Sequence, residues 1–294
     1  MTEFLQLVTN GLMVGSLYAL IGLAVVIVYK ATHVVSLAQG QLLAWGAVFF
    51  WFAFVALGLP FWLSLVITIA VAAIMGLVVE RAAMRPLIGQ SHLTSFLMTF
   101  AIFIILDAVF QLILKGSYKV LPPFLPVERL EVAGVTMAPA GLFGLGVALL
   151  IFIAMAVFFR YTKLGLGMRA TSESHELAQS VGISVRNMFS LVWIISAVAA
   201  AVSGIILAMA TDIGYSLPWI IVKGLVVALF GGLDSLPGAL IAGLLLGVLE
   251  SAGAGYLDPL VGGGFQDVAA FIMMLFILLV RPHGLFGLVR IERV

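Results

Sequence analysis

Long apolar stretches alternate with short polar segments along the whole chain. Phe4–Tyr29 contains no Asp, Glu, Lys or Arg, and neither does the longer stretch Ala31–Val79, which Pro60 divides. A helix that crosses the hydrocarbon core of a bilayer needs roughly 20 such residues. The pattern therefore predicts an all-α integral membrane protein, built as a polytopic bundle of helices.

Nine apolar segments are candidate spans or re-entrant helices. They are Phe4–Tyr29, Gln39–Gly58, Phe61–Val79, Leu93–Leu114, Met137–Phe159, Met188–Ala210, Ile220–Gly231, Pro237–Ala252 and Gln266–Val280. Ile220–Gly231 is the shortest and is either a complete span or a re-entrant half-helix, so the total is eight or nine. The first segment lacks a preceding basic region and is too long for a cleaved signal peptide. We expect one transmembrane domain over residues 1–294.

Composition agrees with a membrane protein. Hydrophobic residues make up 64% of the 294 residues and charged residues only 9%, whereas soluble domains carry about 25% charged residues. The chain has no cysteine, which excludes disulfides, cysteine-ligated metals and a thiol nucleophile.

The distribution of lysine and arginine predicts the orientation, because short loops rich in these residues stay cytoplasmic. With the N-terminus outside and every segment crossing, the outer loops receive Lys115, Lys119 and Arg129. The inner loops receive Lys30, Arg81, Arg85, Arg160, Lys163, Arg169, Arg186, Arg281, Arg290 and Arg293. We therefore expect the N-terminus outside and the C-terminus in the cytoplasm.

Small residues recur at every fourth position in three segments. The three stripes are Gly11, Gly15 and Ala19; Ser196, Ala200, Gly204 and Ala208; and Ala239, Gly243, Gly247 and Ser251. Residues four apart lie on one helical face, and small side chains there let membrane helices approach closely. The stripes indicate tight packing within one chain or, alternatively, a subunit interface.

Motifs of catalysis and nucleotide binding are missing from the sequence. It has no G-x-x-x-x-G-K-[ST] loop for phosphate, no H-E-x-x-H and no G-x-S-x-G. The four histidines, His33, His92, His175 and His283, are far apart and suggest no metal site. We expect a non-enzymatic chain with no catalytic residue, cofactor or metal, and no nucleic-acid partner.

The polar segment Thr162–Asn187 lies between two apolar spans, on the side predicted to be cytoplasmic. We expect Gly165 and Gly167 to break the chain and Met168–Val181 to form a short amphipathic helix. Its candidate caps are Ser172 or Ser174 at the start and Gly182 at the end. From the residues alone, this segment is either a solvated loop or a helix that docks against a protein partner.

Glu176–Gly182 resembles the E-A-A-x-x-x-G motif of ABC importer permeases, with Leu177 in place of the first Ala. Further blocks, in the same order along the chain, are similar to the branched-chain (hydrophobic) amino-acid ABC permease family, first-permease type. They are Asn10–Leu20, Glu80–Leu87, Leu164–Ala170, Phe230–Ala239 followed by Gly247 and Glu250, and Arg281–Gly287. Together they cover essentially the whole chain.

This resemblance implies a permease subunit in a bacterial inner membrane, with ABC ATPase subunits that bind ATP, a second permease subunit and an external solute-binding protein as partners. It also implies that the polar segment is a coupling loop at about 162–187, whose helix fits a groove on the ATPase. The implied coupling residues are Arg169, Glu173, Glu176, Ala178 and Gly182.

The identity of the solute stays open. Relatives with this architecture carry aliphatic amino acids, urea or short amides, and aromatic carboxylates. The family usually shows a stretch like N-F-A-H-G after the first span, and this chain has Ser36 and Gln39 where that stretch has Asn and His.

Polar residues at membrane depth are candidates for the translocation pathway, because they are costly there. The candidates are Ser36, Gln39, Gln41, Asp107, Lys223, Asp234 and Glu250. Lys223 either attracts a carboxylate in the pathway, pairs with Asp107 or Glu250, or extends to the membrane surface.

Two of these candidate groups have a local alternative. The three polar residues at the start of the second span either line the pathway or cap the helix. Asp234 lies in a Gly-rich turn whose chemistry alone accounts for it, although broken helices such as Ile220–Ala239 are typical of transport pathways.

Two other classes of protein are possible from the sequence. An ion-coupled secondary transporter or channel would use Asp107 and Glu250 as proton or ion sites. A structural membrane protein would need no pathway at all.

Overall fold

A computed structural model describes residues 2–125, 128–132, 134–281 and 283–287. The helices are α1 (Thr2–Thr32), α2 (Ala38–Trp51), α3 (Phe61–Val79), α4 (His92–Leu114), α5 (Pro139–Tyr161), α6 (Lys163–Glu173), α7 (His175–Ser180), α8 (Val185–Ala210), α9 (Ile221–Gly231), α10 (Leu236–Tyr256), α11 (Asp258–Val261) and α12 (Phe265–Val280). A π-helical turn extends α2 over Phe52–Ala56, and α3 continues through a π turn at Glu80–Met84 and a 3-10 turn at Arg85–Leu87. Another 3-10 turn, Leu217–Ile220, precedes α9.

Seven helical stretches among these residues are long and apolar enough to cross a membrane. They are Thr2–Thr32, Ala38–Ala56, Phe61–Leu87, His92–Leu114, Pro139–Tyr161, Val185–Ala210 and Leu236–Leu260. Two shorter apolar stretches, Leu217–Gly231 and Val268–Val280, coincide with the remaining predicted segments. The prediction of an all-α polytopic membrane protein is confirmed.

Residue contacts divide the chain into two compact units, and the first contains residues 1–26, 125–152 and 222–294. In this unit α1 and α10 pack backbone against backbone. A Cβ atom on Gly15 would lie 2.5 Å from the carbonyl oxygen of Gly243, and one on Gly243 would lie 2.6 Å from the Cα of Ala19. Two of the predicted small-residue stripes therefore pack against each other.

An antiparallel hairpin of β1 (Leu130–Val132) and β2 (Val135–Met137) also belongs to the first unit. The side chain of Gln6 in α1 holds it by two hydrogen bonds with Thr136. Gln6 Nε2 donates to the Thr136 carbonyl at 2.6 Å, and the Thr136 N–H donates to Gln6 Oε1 at 2.7 Å. The sequence pattern predicted only an outer loop between Leu93–Leu114 and Met137–Phe159.

The second unit contains residues 27–124 and 153–221. Helix α2 is buried on nearly every side, and α8 packs directly against it. A Cβ on Gly46 would lie 2.5 Å from the Cα of Ala201, and Gly204 faces the backbone of Leu43. The third stripe of small residues thus also packs within one chain, so none of the three requires a subunit interface.

Three of the apolar stretches, Phe61–Leu87, His92–Leu114 and Pro139–Tyr161, are mostly exposed. In each, only 22% of the most apolar 18 residues are buried inside the protein. Their exposed side chains include Trp62, Ile105 and Leu150. Lipid tails are as apolar as leucine, so these faces suit direct contact with the bilayer.

Candidate functional site

The polar segment that follows α5 forms two short helices rather than one. Helix α6 begins at Lys163 and runs through both of its glycines to Glu173. The prediction that Gly165 and Gly167 break the chain is wrong, because these glycines let the helix pack closely. A Cβ on Gly167 would lie 3.1 Å from the sulfur of Met188 in α8, and Gly165 lies against the backbone at the end of α5.

The break in this segment lies at Ser174, whose extended backbone (φ −158°, ψ 123°) separates α6 from α7. Ser174 Oγ accepts a hydrogen bond from the N–H of Leu177 at 3.3 Å, so Ser174 is the cap of α7. The predicted stop at Gly182 is confirmed. Its φ of +83° is a conformation that glycine adopts without strain, and its N–H donates to the Gln179 carbonyl at 3.0 Å.

One face of α7 packs against α8 within the second unit. Ala178 is buried in a small cluster with Val185 and Phe189 of α8. Ile88, in the loop that follows α3, and Ile183 pack against the same cluster. A displacement of α7 would therefore act directly on α8 and on the end of α3.

The opposite face of the α6–α7 segment is open. The charged candidates Arg169, Glu173 and Glu176 are all exposed. Apolar side chains are exposed among them: Leu166 by 58%, Leu177 by 69% and Val181 by 73%. Exposed apolar residues rimmed by charges are typical of a protein-interaction site.

The fold brings three histidines that are far apart in sequence, His33, His92 and His175, into the same region of the second unit. The rings of His33 and His92 meet edge to face, with centroids 6.5 Å apart. His33 Nε2 lies 3.0 Å from the Ser172 carbonyl oxygen, and His175 Nδ1 lies 2.8 Å from that of Thr171. Among the described residues, no three His, Asp or Glu side chains are placed to hold a metal ion.

His92 and His175 line a cavity of about 160 Å³ in the second unit. Val34, Ser95 and Trp193 form part of the same wall, and no Asp or Glu lines it within the described chain. Trp193 is fully buried, and its Nε1 has no hydrogen-bond partner among the described residues.

Ser36, Gln39 and Gln41 are fully buried at the start of α2. The capping interpretation of these residues is wrong, because the N-cap position is Leu37 and no side chain caps the helix. Gln39 Nε2 donates to Ser196 Oγ at 3.0 Å. Ser36 Oγ, Gln39 Oε1 and Gln41 Oε1 have no partner among the residues described.

Asp107 lies next to α2 within the second unit. Its Oδ1 accepts a hydrogen bond from Gln41 Nε2 at 2.9 Å, and its Oδ2 accepts one from Gln111. Two uncharged amides therefore stabilise the carboxylate, and no ion pair to it is seen in the described part of the chain.

Lys223 pairs with Glu250 inside the first unit. Its Nζ lies 3.0 Å from Glu250 Oε1, and Tyr18 completes the cluster by donating to Glu250 Oε2 at 2.9 Å. Glu250 is 1% exposed and the Lys223 side chain 18% exposed. Among the alternatives predicted for Lys223, the structure therefore shows the ion pair with Glu250.

Asp234 lies in the turn between α9 and α10, apart from the other candidates along the chain. The next residue, Ser235, caps α10 by accepting a hydrogen bond from the Gly238 N–H at 3.0 Å. Gly232 supplies a positive φ of +101°. The residues on either side of Asp234 therefore form a turn, and a place of Asp234 in the translocation pathway stays a prediction.

The sequence did not indicate that Glu80 is buried and joins Arg85 and Ser190 in a hydrogen-bonded cluster. Arg85 donates to both of its oxygens at 2.9 Å, and Ser190 of α8 donates to Oε2 at 2.9 Å. The spacing of five residues fits the π turn rather than an α-helix, so an i, i+4 search could not find the pair.

Comparison with known proteins gives a consistent result. The family described as "Branched-chain amino acid transport system / permease component" matches residues 7–280. BraD of Pseudomonas aeruginosa, a high-affinity branched-chain amino acid transport system permease protein, is 30% identical over 99% of this chain and 98% of its own length. LivH of Escherichia coli K12, a protein of the same description, has the same identity and coverage.

A more distant relative and a solved structure agree with these matches. A probable LivH permease of Methanocaldococcus jannaschii is 29% identical over 96% of this chain and 92% of its own. PsaBC from Streptococcus pneumoniae, in complex with Fab, is similar in structure with a TM-score of 0.51 at 16% identity. The match covers 95% of this chain and 92% of that one, and at this identity it supports the fold alone.

Proposed function

Because the chain belongs to the permease-component family of the branched-chain amino acid transport system, we propose that it forms the membrane pathway for a small solute in an ABC importer. The solute is a branched-chain or other hydrophobic amino acid, or a related carboxylate or amide. The sequence has no phosphate-binding loop, so ATP is bound and hydrolysed on separate subunits. The family assignment favours this function over an ion-coupled transporter or channel.

The α6–α7 segment carries the proposal for energy coupling. It is anchored through Ala178 and exposes Arg169, Glu173 and Glu176 beside Leu177. Such a face suits a groove on an ATPase, with Gly182 ending the helix where the chain turns back to α8. Closure of the ATPases on ATP would push α7, and the cluster at Ala178 would pass the movement to α8.

The remaining partners follow from the same assignment. A second permease subunit, identical or different, completes the pathway within the bilayer. An external solute-binding protein delivers the solute to the outer face, where the β1–β2 hairpin lies in the orientation predicted from the sequence. The proposed location is the bacterial inner membrane.

The test is uptake by the complete assembly reconstituted in proteoliposomes with binding protein and labelled L-leucine. We expect uptake only with ATP. Glu176→Ala or Arg169→Ala should reduce uptake per ATP hydrolysed by about tenfold, the effect of losing one hydrogen bond to a charged group at an interface. Size-exclusion chromatography should show an intact subunit.

Glu3→Ala is the matched control, because Glu3 is also an exposed acid but lies at the start of α1. It should transport like the wild type. Uptake that continues without ATP contradicts the importer assignment, and normal coupled uptake in both the Arg169 and the Glu176 variants contradicts the docking role.

A further inference from the structure

We propose that a polar cluster, formed by Glu80, Arg85 and Ser190, positions the turns that continue α3 for energy coupling. The cluster keeps Ile88 in contact with the apolar residues that anchor α7, so a movement of α7 reaches α3 as well as α8. This inference rests on the proposed coupling function and deepens it, because it names residues that act on the coupling step through Ile88.

The three side chains form a closed set of hydrogen bonds between the continuation of α3 and α8. Arg85 donates to both Glu80 oxygens at 2.9 Å, through Nε and Nη2, and such a pair of parallel bonds fixes orientation as well as distance. Arg85 Nη2 also donates to Ser190 Oγ at 2.8 Å, and Ser190 Oγ donates to Glu80 Oε2 at 2.9 Å. The Glu80 side chain is 0% exposed and that of Arg85 32%. The cluster therefore ties these turns to α8.

The path of the chain at Arg85 is unusual for its sequence. A proline usually ends a helix at or before the residue that precedes it. Here the chain stays helical through Arg85 (φ −58°, ψ −43°) and continues into a 3-10 turn that contains Pro86. The preceding turn, Glu80–Met84, is π-helical, a rare conformation that is frequent at functional sites. Local sequence preference does not account for this path, and the side-chain bonds of Arg85 hold it.

Arg85 also fixes the position of Ile88. The Arg85 carbonyl accepts a hydrogen bond from the Ile88 N–H at 3.3 Å, at the end of the 3-10 turn. Ile88 packs against the buried apolar cluster that contains Ala178 of α7. The same residue therefore bonds the polar cluster through its side chain and Ile88 through its main chain.

Packing alone does not hold Ile88 on every side. Leu87, Ile88 and Gly89 border the cavity of about 160 Å³, which also reaches His175 of α7. Its volume is several times the ~30 Å³ that one water occupies, whereas protein interiors have few voids larger than a water molecule. Without the polar cluster, the turn at Ile88 would be free to shift into this space. A movement of α7 would then be absorbed there and would not reach α3.

The first measurement is uptake of labelled L-leucine per ATP hydrolysed, by the complete assembly in proteoliposomes with binding protein. Ser190→Ala removes the tie to α8 and leaves both bonds between Glu80 and Arg85. We expect it to lower uptake per ATP by about tenfold, the effect of losing one hydrogen bond to a charged group, while ATP hydrolysis continues. Ser190→Thr keeps the hydroxyl and should couple like the wild type.

Ser203→Ala is the matched control. Ser203 also lies in α8 and is fully buried, and its hydroxyl has no hydrogen-bond partner among the described residues. The same chemical change is therefore made in the same helix without removing a described bond. This variant should couple like the wild type.

A second measurement follows the turn itself and needs no partner subunit. Because the natural chain has no cysteine, Ile88→Cys introduces a single thiol at a half-buried position. Its reaction with a maleimide is timed in the purified permease in detergent. The reaction should be several-fold faster when Ser190→Ala is added than when Ser203→Ala is added, because only the first change releases the turn.

Three results would overturn the positioning role. They are unchanged uptake per ATP in Ser190→Ala, equal maleimide rates in the two serine backgrounds, and parallel losses of uptake and hydrolysis, which indicate a purely structural serine. Each of these leaves ATP-driven uptake by the wild type, and with it the proposed function, intact. Wild-type uptake that continues without ATP would instead overturn the proposed function and the coupling role together, whatever the maleimide rates.

Discussion

At the residue scale, the first unit contains an ion pair in its interior, between Lys223 and Glu250. The sequence left three alternatives for Lys223: to attract a carboxylate in the pathway, to pair with Asp107 or Glu250, or to extend to the membrane surface. The partner could not be chosen from sequence, because the choice depends on how α9 packs against α10 and α1. Tyr18 bonds both charges, and its place in the block Asn10–Leu20 did not indicate that it would join them.

Lys223→Met should strongly destabilise the protein. It leaves the Glu250 carboxylate buried without its cation, and breaking one side of a buried ion pair costs on the order of 3–5 kcal/mol. The double variant with Lys223→Met and Glu250→Met should recover much of this loss, because replacing both charges with apolar groups is often nearly neutral. Thermal unfolding of the purified chain in detergent measures both effects.

The control for this pair is Lys115→Met, at an exposed lysine at the end of α4. It should leave the unfolding temperature nearly unchanged. If the single variant Lys223→Met and the double variant are equally stable, the loss of Lys223 does not leave Glu250 as an unfavourable buried charge.

At the element scale, the contact of α1 with α10 depends on residues that lack a side chain. Replacing Gly243 by alanine should be strongly destabilising, since its Cβ would lie 2.6 Å from backbone atoms of Ala19. One of the two helices must move, and crowding of a packed site typically costs about 1–3 kcal/mol. The measured quantity is again the unfolding temperature in detergent.

Gly146→Ala provides the comparison within α5, where the added Cβ would have no described atom within 4 Å apart from its chain neighbours and the nearby backbone of its own helix. Alanine is favoured over glycine in a helix by up to about 1 kcal/mol, so this variant should be equal to or more stable than the wild type. Similar losses in the two variants would show that the cost is intrinsic to the helix and not due to packing.

Element boundaries were predictable where charges mark them. The predicted Leu93–Leu114 differs from α4 by one residue at its start, because apolar runs are bounded by polar residues at the membrane surface. Glycine was misread in α6, since the same residue type breaks a helix or permits a close contact depending on its neighbours. The two π turns and the β1–β2 hairpin also escaped prediction, because their signals are non-local or only three residues long.

At the scale of the whole molecule, the helices show which segments are candidate crossings but not which side faces the cytoplasm. The orientation therefore still depends on the lysine and arginine count. Of the ten residues assigned to the inner side, Arg290 and Arg293 lie outside the described residues, as does Pro282 of the C-terminal block. The other eight still exceed the three assigned to the outer side.

Single cysteines can test this orientation directly, because the natural chain contains none. Ser117 and Ser180 are both exposed, and each hydroxyl bonds the carbonyl of the residue three positions earlier. Serine-to-cysteine replacement is conservative at both. In intact spheroplasts, a membrane-impermeant maleimide should label Ser117→Cys and not Ser180→Cys.

Permeabilisation should make Ser180→Cys reactive, which shows that its earlier protection came from the membrane, and the cysteine-free wild type reports background labelling. The opposite pattern would place the α6–α7 segment on the outer side. No ATPase could then reach Glu176, and the proposed coupling would fail with it.

Labelling of both cysteines in intact spheroplasts would instead show that these two loops lie on the same side, so that an even number of crossings separates them. Neither short segment, Leu217–Gly231 nor Val268–Val280, could cause that outcome, because both follow Ser180 in the chain. The error would then lie in α5, the one predicted span between the two serines.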